Sequence, residues 1–187
     1  MNSQTPKEKR KIKLRVRDAG EMMEYEAVVK RSDGETLEIS GSTYCDTREC
    51  IKQILKRALT GQRDPPPDVE KAVGHLIDYL LASVKSLYAV KASASLSLGV
   101  DVDAELGIFA VLHYIDGGED EDEEEYVGWY AEIETSFLGY DGAASVDGFH
   151  KFKKELTLGR YLDDDAVKRL TEELMKLVKL AYNVSPN

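Results

Sequence analysis

Hydrophobic and polar residues alternate strictly in the segment KIKLRVR, residues 11–17. Ile12, Leu14 and Val16 share one face, which is the period-two pattern of a half-buried β-strand. The segments EYEAVVKR and ETLEIS repeat the pattern, and the SDGE between them contains the Asp-Gly pair of a hairpin turn. The N-terminal part of the chain therefore predicts a three-stranded antiparallel unit.

An α-helical period follows, from about Thr47 to Leu59, and Gly61 is placed to end this helix. Asp46, with Glu49 three residues later, fits a capping box at the start of the helix. This assignment sets the positions of the two cysteines relative to the helix.

Cys45 and Cys50 are the two cysteines of the chain. With Asp46 as the cap, they occupy the positions that touch in a hydrophobic staple, and a free cysteine packs like a small hydrophobic side chain. The sequence therefore predicts a staple, a contact that would also permit a disulfide. A zinc site would need more ligands than this neighbourhood contains.

A second, longer amphipathic helix is predicted after the proline-rich segment 62–68. Three consecutive prolines cannot continue a helix, whereas Pro67 or Asp68 can begin the next one. The apolar stripe of this helix continues to about Val90. The proline-rich segment therefore predicts a linker.

Period two returns in the second half of the chain. In KASASLSLGVDVD, residues 91–103, serines alternate with apolar residues, which predicts a strand with one face of small hydroxyl side chains. The segment LGIFAVLHYI, residues 106–115, is apolar at both parities and predicts a central strand covered on both faces. YVGWYAEIETSF alternates again, and its pattern points Glu132 and Glu134 outward.

A short strand from about Phe152 to Leu158 and a C-terminal helix capped by Asp163 or Asp164 complete the predicted elements. The order is β-β-β-α-α-β-β-β-β-α, with strands segregated from helices. This order predicts an α+β fold with one or more antiparallel sheets and three α-helices.

Two units are predicted from this organisation. Residues 1–61 form a small β-β-β-α unit with a basic first strand, and residues 69–187 form an acidic α-β-β-β-β-α unit. The proline-rich segment 62–68 links them. The alternative is that both units pack as a single domain.

Charge is distributed unevenly along the 187 residues. Residues 1–60 carry 13 Lys+Arg against 10 Asp+Glu, whereas residues 61–187 carry 12 against 25, and the formal net charge is −10. This balance opposes general nucleic-acid affinity and favours basic partners. Abundant lysine and glutamate with few amide side chains is a thermophile tendency.

A cytoplasmic location is expected for this chain. No apolar run approaches the roughly 18 residues that cross a bilayer, and the charged N-terminus has no apolar signal core.

The chain has no P-loop, dinucleotide-binding or nucleophile-elbow motif, and its three histidines lack metal-ligand spacing, so no cofactor and no metal ligand is assigned.

The most conspicuous segment is DGGEDEDEEEY, residues 116–126, at the predicted tip of a hairpin. Its glycines precede the acids, which does not fit a calcium loop. The alternatives are a solvated tip, a specific metal site and a surface for a basic protein. The predicted partner-binding residues are Glu119, Asp120, Glu121, Asp122, Glu123, Glu124, Glu125, Glu132 and Glu134.

The basic strand is the second candidate, because Lys11, Lys13, Arg15 and Arg17 share one face that could lie along phosphates. Acids on the neighbouring strand could instead pair with these cations, and lysines on an edge strand also oppose aggregation. No aromatic residue is interleaved to stack bases. Nucleic-acid binding is therefore an alternative function.

A metal-dependent hydrolase or nuclease is the third candidate, because Asp101 and Asp103 share a strand face and carboxylates hold catalytic metals.

The leading prediction is a non-catalytic interaction or regulatory protein that binds a basic, nucleic-acid-handling protein. A homo-oligomer is also expected, because a central strand that is apolar on both faces requires two covering layers, only three helices are available, and a second copy could supply part of the missing cover.

Overall fold

A computed structural model describes residues 10–31, 34–87, 91–101, 104–115, 127–141 and 145–184. The element order confirms the predicted α+β fold. The strands are β1 (Lys11–Asp18), β2 (Met23–Lys30), β3 (Thr36–Thr43), β4 (Lys91–Asp101), β5 (Ala104–Ile115), β6 (Gly128–Asp141) and β7 (Ser145–Gly159). The helices are α1 (Arg48–Thr60), α2 (Pro67–Leu87) and α3 (Asp164–Tyr182).

All seven strands form one antiparallel sheet in the order β1-β2-β3-β7-β6-β5-β4. Two meanders, β1-β2-β3 and β4-β5-β6-β7, meet where β3 pairs with β7. Buried residues from both predicted units contribute to one hydrophobic core. Whether residues 1–61 fold independently stays a prediction.

The three helices pack on one face of the sheet. Helix α3 contacts β5, β6 and β7, helix α2 contacts β4 and β5, and both α1 and α2 contact α3. Inward residues such as Ile39, Ile133 and Phe152 are buried beneath them. The opposite face of the sheet carries no helix from the described part of the chain.

The sequence predicts cover on both faces of residues 106–115, and within the described residues the structure covers one. The inward residues Leu106, Ile108 and Leu112 are buried, whereas on the other face Phe109 is 38% exposed and Val111 is buried. A strand with apolar residues at both alternating sets of positions therefore need not be covered by a layer on each face.

The predicted short strand 152–158 is longer in the structure, where β7 extends over Ser145–Gly159. The sequence pattern does not predict the first part of β7, because its inward positions include Gly148 and His150, which are not hydrophobic residues. Asp163 caps α3 as predicted, since its carboxylate accepts the Ala166 N–H at 2.8 Å.

The predicted cap of α1 at Asp46 is wrong by one residue. Thr47 is the cap, and its hydroxyl accepts the backbone N–H of Cys50 at 3.1 Å. Cys45 and Cys50 form a disulfide, so their contact is covalent rather than a staple. The local spacing predicts the contact but not its chemistry.

The pairing of β3 with β7 requires a close approach at one glycine. Gly41 lies opposite His150 in the register. A side chain at Gly41 would overlap the carbonyl oxygen of Phe149 and lie 2.9 Å from the Tyr25 ring. Glycine is therefore needed here for space, at the junction of the two meanders.

We expect the Gly41→Ala substitution to reduce the free energy of unfolding by about 1–3 kcal/mol, because the added methyl group is forced into packed backbone. Gly74→Ala is the matched control, since Gly74 lies within α2 and a methyl group there meets no atom within 4 Å beyond its chain neighbours and the nearby backbone of its own helix. Helix propensity predicts that this control gains up to ~1 kcal/mol. Urea denaturation measures both changes, and equal effects would contradict the assigned junction.

Candidate binding surfaces

The basic residues predicted as a phosphate-binding face lie on the edge strand β1, on the uncovered face of the sheet. The register places Arg17 opposite Glu24 and Arg15 opposite Glu26. The guanidinium of Arg17 donates to Glu24, with an Nε–Oε2 distance of 3.1 Å. The cross-strand acids therefore neutralise part of the row and leave its charge concentrated at Lys11 and Lys13.

Glu132 and Glu134 lie on β6, on the same uncovered face. A carboxylate oxygen of Glu134 is 3.5 Å from Lys151 Nζ, and one of Glu132 is 3.3 Å from His113 Nε2. Both carboxylates are half-buried in these pairs. They contact neighbours within the sheet and offer a partner less charge than the sequence suggests.

Residues 116–126, with the seven consecutive acids, lie outside the described residues, and so does Asp103. Asp101 ends β4, and only its strand assignment is described. Partner binding by the acidic segment and hydrolysis by the aspartates stay predictions. Among the residues that are described, no group of three or more His, Cys, Asp or Glu side chains is arranged to hold a metal ion.

A groove of about 490 Å³ lies between the edge strand β1 and helix α1. We call it the basic groove. Its lining combines an apolar floor with a cationic rim: Arg10, Ile12, Leu14, Arg48, Lys52, Leu55, Lys56, Leu59 and Thr60.

The floor of the basic groove exposes apolar surface to solvent. Ile12 is 47% exposed although it lies on the inward face of β1, because no further strand of the described chain covers the sheet edge there. Leu14 and Leu59 are half-buried beside it. The floor is therefore a hydrophobic strip in which an apolar side chain would lose contact with water.

The rim concentrates positive charge. Lys52 and Lys56 lie one helical turn apart on α1, where like charges repel. Within the described structure, Lys56 forms no ion pair, and Lys52 has Glu49 at 3.9 Å. Arg48 donates to the Leu14 carbonyl at 3.0 Å and so ties α1 to β1. The groove is thus electropositive. The hydrogen bond from the Arg48 side chain to the Leu14 carbonyl connects its two walls, α1 and β1.

Sequence reasoning missed this groove, although one signal was present. Arg48, Lys52 and Lys56 recur every four residues and therefore share one face of α1. Whether these three cations line a groove depends on which strand lies beside α1. The sequence pattern carries no information about that contact.

A buried histidine lies on the helix-covered side of the sheet. The Tyr25 hydroxyl is 2.6 Å from His150 Nδ1, and both side chains are buried. Nε2 of His150 has no hydrogen-bond partner among the described residues. Burial, with a smaller contribution from the charge of Arg57, lowers the pKa of His150 to about 4. The ring is therefore neutral at pH 7.

A buried lysine connects the sheet to α3. The ammonium of Lys154 donates to Glu35 at 2.7 Å and also to Glu173. Burial opposes ionisation of Glu173, but hydrogen bonds from Lys154 and Lys176 outweigh it and lower the pKa of that carboxyl. Glu173 therefore stays ionised as a structural partner and is unsuited to act as a general acid or base near pH 7.

The comparisons leave function to be argued from geometry. No protein family, curated protein or solved structure matches this chain. Over the described ranges, no helix is long and apolar enough to cross a membrane. The surfaces described above are therefore the basis for a functional proposal.

The buried histidine predicts a specific pH dependence of stability. Between pH about 6.5 and about 4, the unfolded chain binds a proton at His150 that the folded chain excludes. Folding stability therefore falls as the pH falls through this window, by an amount on the order of 3 kcal/mol.

Urea denaturation at both ends of this window measures the effect in the wild-type protein and in His150→Gln. We expect the variant to lose less stability between the two pH values, because glutamine does not titrate. An identical loss in both proteins would show that other groups carry the pH dependence.

Proposed function

We propose that this protein is a non-catalytic binding protein that captures an extended acidic segment of a partner protein along β1. The observation that carries the proposal is the basic groove, where an exposed apolar floor and a cationic rim adjoin the edge of the sheet. These are the components by which a sheet edge recognises a peptide of alternating apolar and acidic residues.

The edge of β1 supplies main-chain hydrogen bonds to such a peptide, although the Leu14 carbonyl already accepts one from Arg48. β1 pairs with β2 on one side, and no strand of the described chain pairs with its other side. A partner segment that aligns with β1 would become an eighth strand. Main-chain bonds then contribute affinity whatever the sequence, and side chains determine specificity.

A partner strand paired with β1 would have lysines near both of its faces. Lys52 and Lys56 face it from the groove side, and Lys11 and Lys13 lie on the uncovered face of β1. Because successive side chains of a strand alternate between faces, acids at either parity meet positive charge. Apolar residues on the groove side would contact the exposed Ile12.

A polypeptide suits this groove better than a nucleic acid does. The apolar floor of the groove is aliphatic, and the groove lining has no aromatic ring on which a base could stack. Phosphates also cannot form a ladder with the edge of β1. Nucleic-acid binding by Lys11, Lys13, Arg15 and Arg17 is the alternative that the experiment must separate.

The leading sequence-based prediction, a basic partner bound by residues 119–125 with Glu132 and Glu134, belongs to the same class of function and remains a prediction. The residues of the two candidate surfaces carry opposite charge. A protein with both could connect an acidic partner to a basic one.

The test is the Lys52→Glu/Lys56→Glu variant, with Lys71→Glu/Lys168→Glu as a control of equal net charge that alters exposed lysines of α2 and α3. The probes are a labelled peptide of alternating Glu and Val, the equivalent Lys/Val peptide and a single-stranded oligonucleotide. Fluorescence anisotropy should show that the wild type and the control bind the Glu/Val peptide. The groove variant should bind it at least about tenfold more weakly.

Two outcomes would overturn the proposal. If both variants bind the acidic peptide equally, the groove is not its site. If the oligonucleotide binds in preference to the peptide, and Lys11→Glu/Lys13→Glu abolishes that binding, the basic strand serves nucleic acid instead. Circular dichroism on every variant confirms that the fold is retained.

A further inference from the structure

β4 is the second edge of the sheet, and it lacks the charged protection of β1. β4 pairs with β5 on one side, and its other side has no partner strand within the described ranges. β1 carries five charged residues in eight, whereas residues 92–100 of β4 contain none. Uncharged edges of this length are rare, because they pair readily with other strands.

An apolar groove of about 450 Å³ borders this edge. Tyr79 of α2 is 60% exposed in it, and Phe109 of β5 is 38% exposed. Leu76 and Leu96 complete the apolar part of the lining, with His75 beside them. The exposed rings therefore adjoin an edge with which no strand of the described ranges pairs.

We infer that two copies of this protein associate through β4, antiparallel and about a two-fold axis, so that their sheets become continuous. A register centred on Leu96 places Ser95 opposite the partner's Ser97. Over residues 93–99, which precede the irregularity between Gly99 and Asp101, this register brings no charged residue opposite another. The two charged residues of β4, Lys91 and Asp101, lie at opposite ends of the strand and have opposite signs.

Charge identifies a second copy as the occupant of this edge. Two molecules of net charge −10 repel each other, so self-association needs a contact without opposed like charges. Residues 92–100 satisfy this condition. An equivalent pairing of β1 centred on Leu14 would place Lys13 opposite the partner's Arg15 and is disfavoured.

The available contact is large enough for a stable dimer. The 11 residues of β4 extend over about 36 Å, and a sheet with one helix layer is roughly 20 Å thick. A strip of these dimensions covers about 700 Å² on each copy, or about 1,400 Å² in total, within the range of specific interfaces. In such a dimer, each copy has β1 as its remaining sheet edge. Because β1 is cationic, it disfavours pairing with the β1 of a further copy, and the assembly therefore stops at two copies.

The first test is sedimentation velocity of the full chain over a concentration series. We expect the wild type to sediment as a dimer of about 42 kDa, twice the 20.9 kDa of the chain. Ser95→Lys/Ser97→Lys places lysines opposite one another across the axis and should weaken the dimer at least about tenfold. Thr36→Lys/Thr157→Lys is the control, since both threonines are exposed on the uncovered face away from β4.

A monomeric wild type at all concentrations would overturn the inference. Loss of the dimer in the threonine control, with retention in the serine variant, would assign the interface to the sheet face instead of its edge. Leu96→Cys provides a test that does not depend on the stability of the lysine variant. Mild oxidation should cross-link two copies at the axis, whereas Thr157→Cys should stay uncrosslinked, and equal cross-linking would reject the register.

Discussion

The pairing of β3 with β7 is the contact on which the rest of the structure depends. It joins two meanders that are distant in sequence, through residues Glu38–Thr43 and Gly148–Lys153. Helix α3 contacts β5, β6 and β7 beside this junction and contacts both other helices. Without the junction, the core would be divided between two smaller sheets, each with one more exposed edge.

The junction succeeds because its backbones approach closely where side chains would obstruct them. Gly41 lies opposite His150, and Gly148 lies opposite Thr43. Beside the apolar Ile39 and Phe152, the junction buries one polar contact, between the Tyr25 hydroxyl and His150 Nδ1. Buried polar groups of this kind cost free energy when displaced from their partners, so they favour one register over its alternatives.

Cover on a single face has consequences for binding. With all three helices on one side, the described part of the chain leaves the other sheet face and two strand edges of different character uncovered. The edge at β1 is cationic on both of its faces and has an apolar floor beside it. The edge at β4 is uncharged and bordered by exposed aromatic rings. The first edge therefore suits an acidic strand, and the second suits a copy of itself.

The amino-acid sequence by itself determined the element order and the α+β class, because local periodicity and capping residues report how each segment is buried. It also identified the basic strand, the caps near Thr47 and Asp163 to within one residue, and the proximity of the two cysteines. Tertiary structure decided the strand order, the full length of β7 and the pairing of Glu132 and Glu134 with neighbours. It also decided that Lys52 and Lys56 lie beside β1. These features depend on contacts between residues far apart in the chain, and local periodicity carries no information about such contacts.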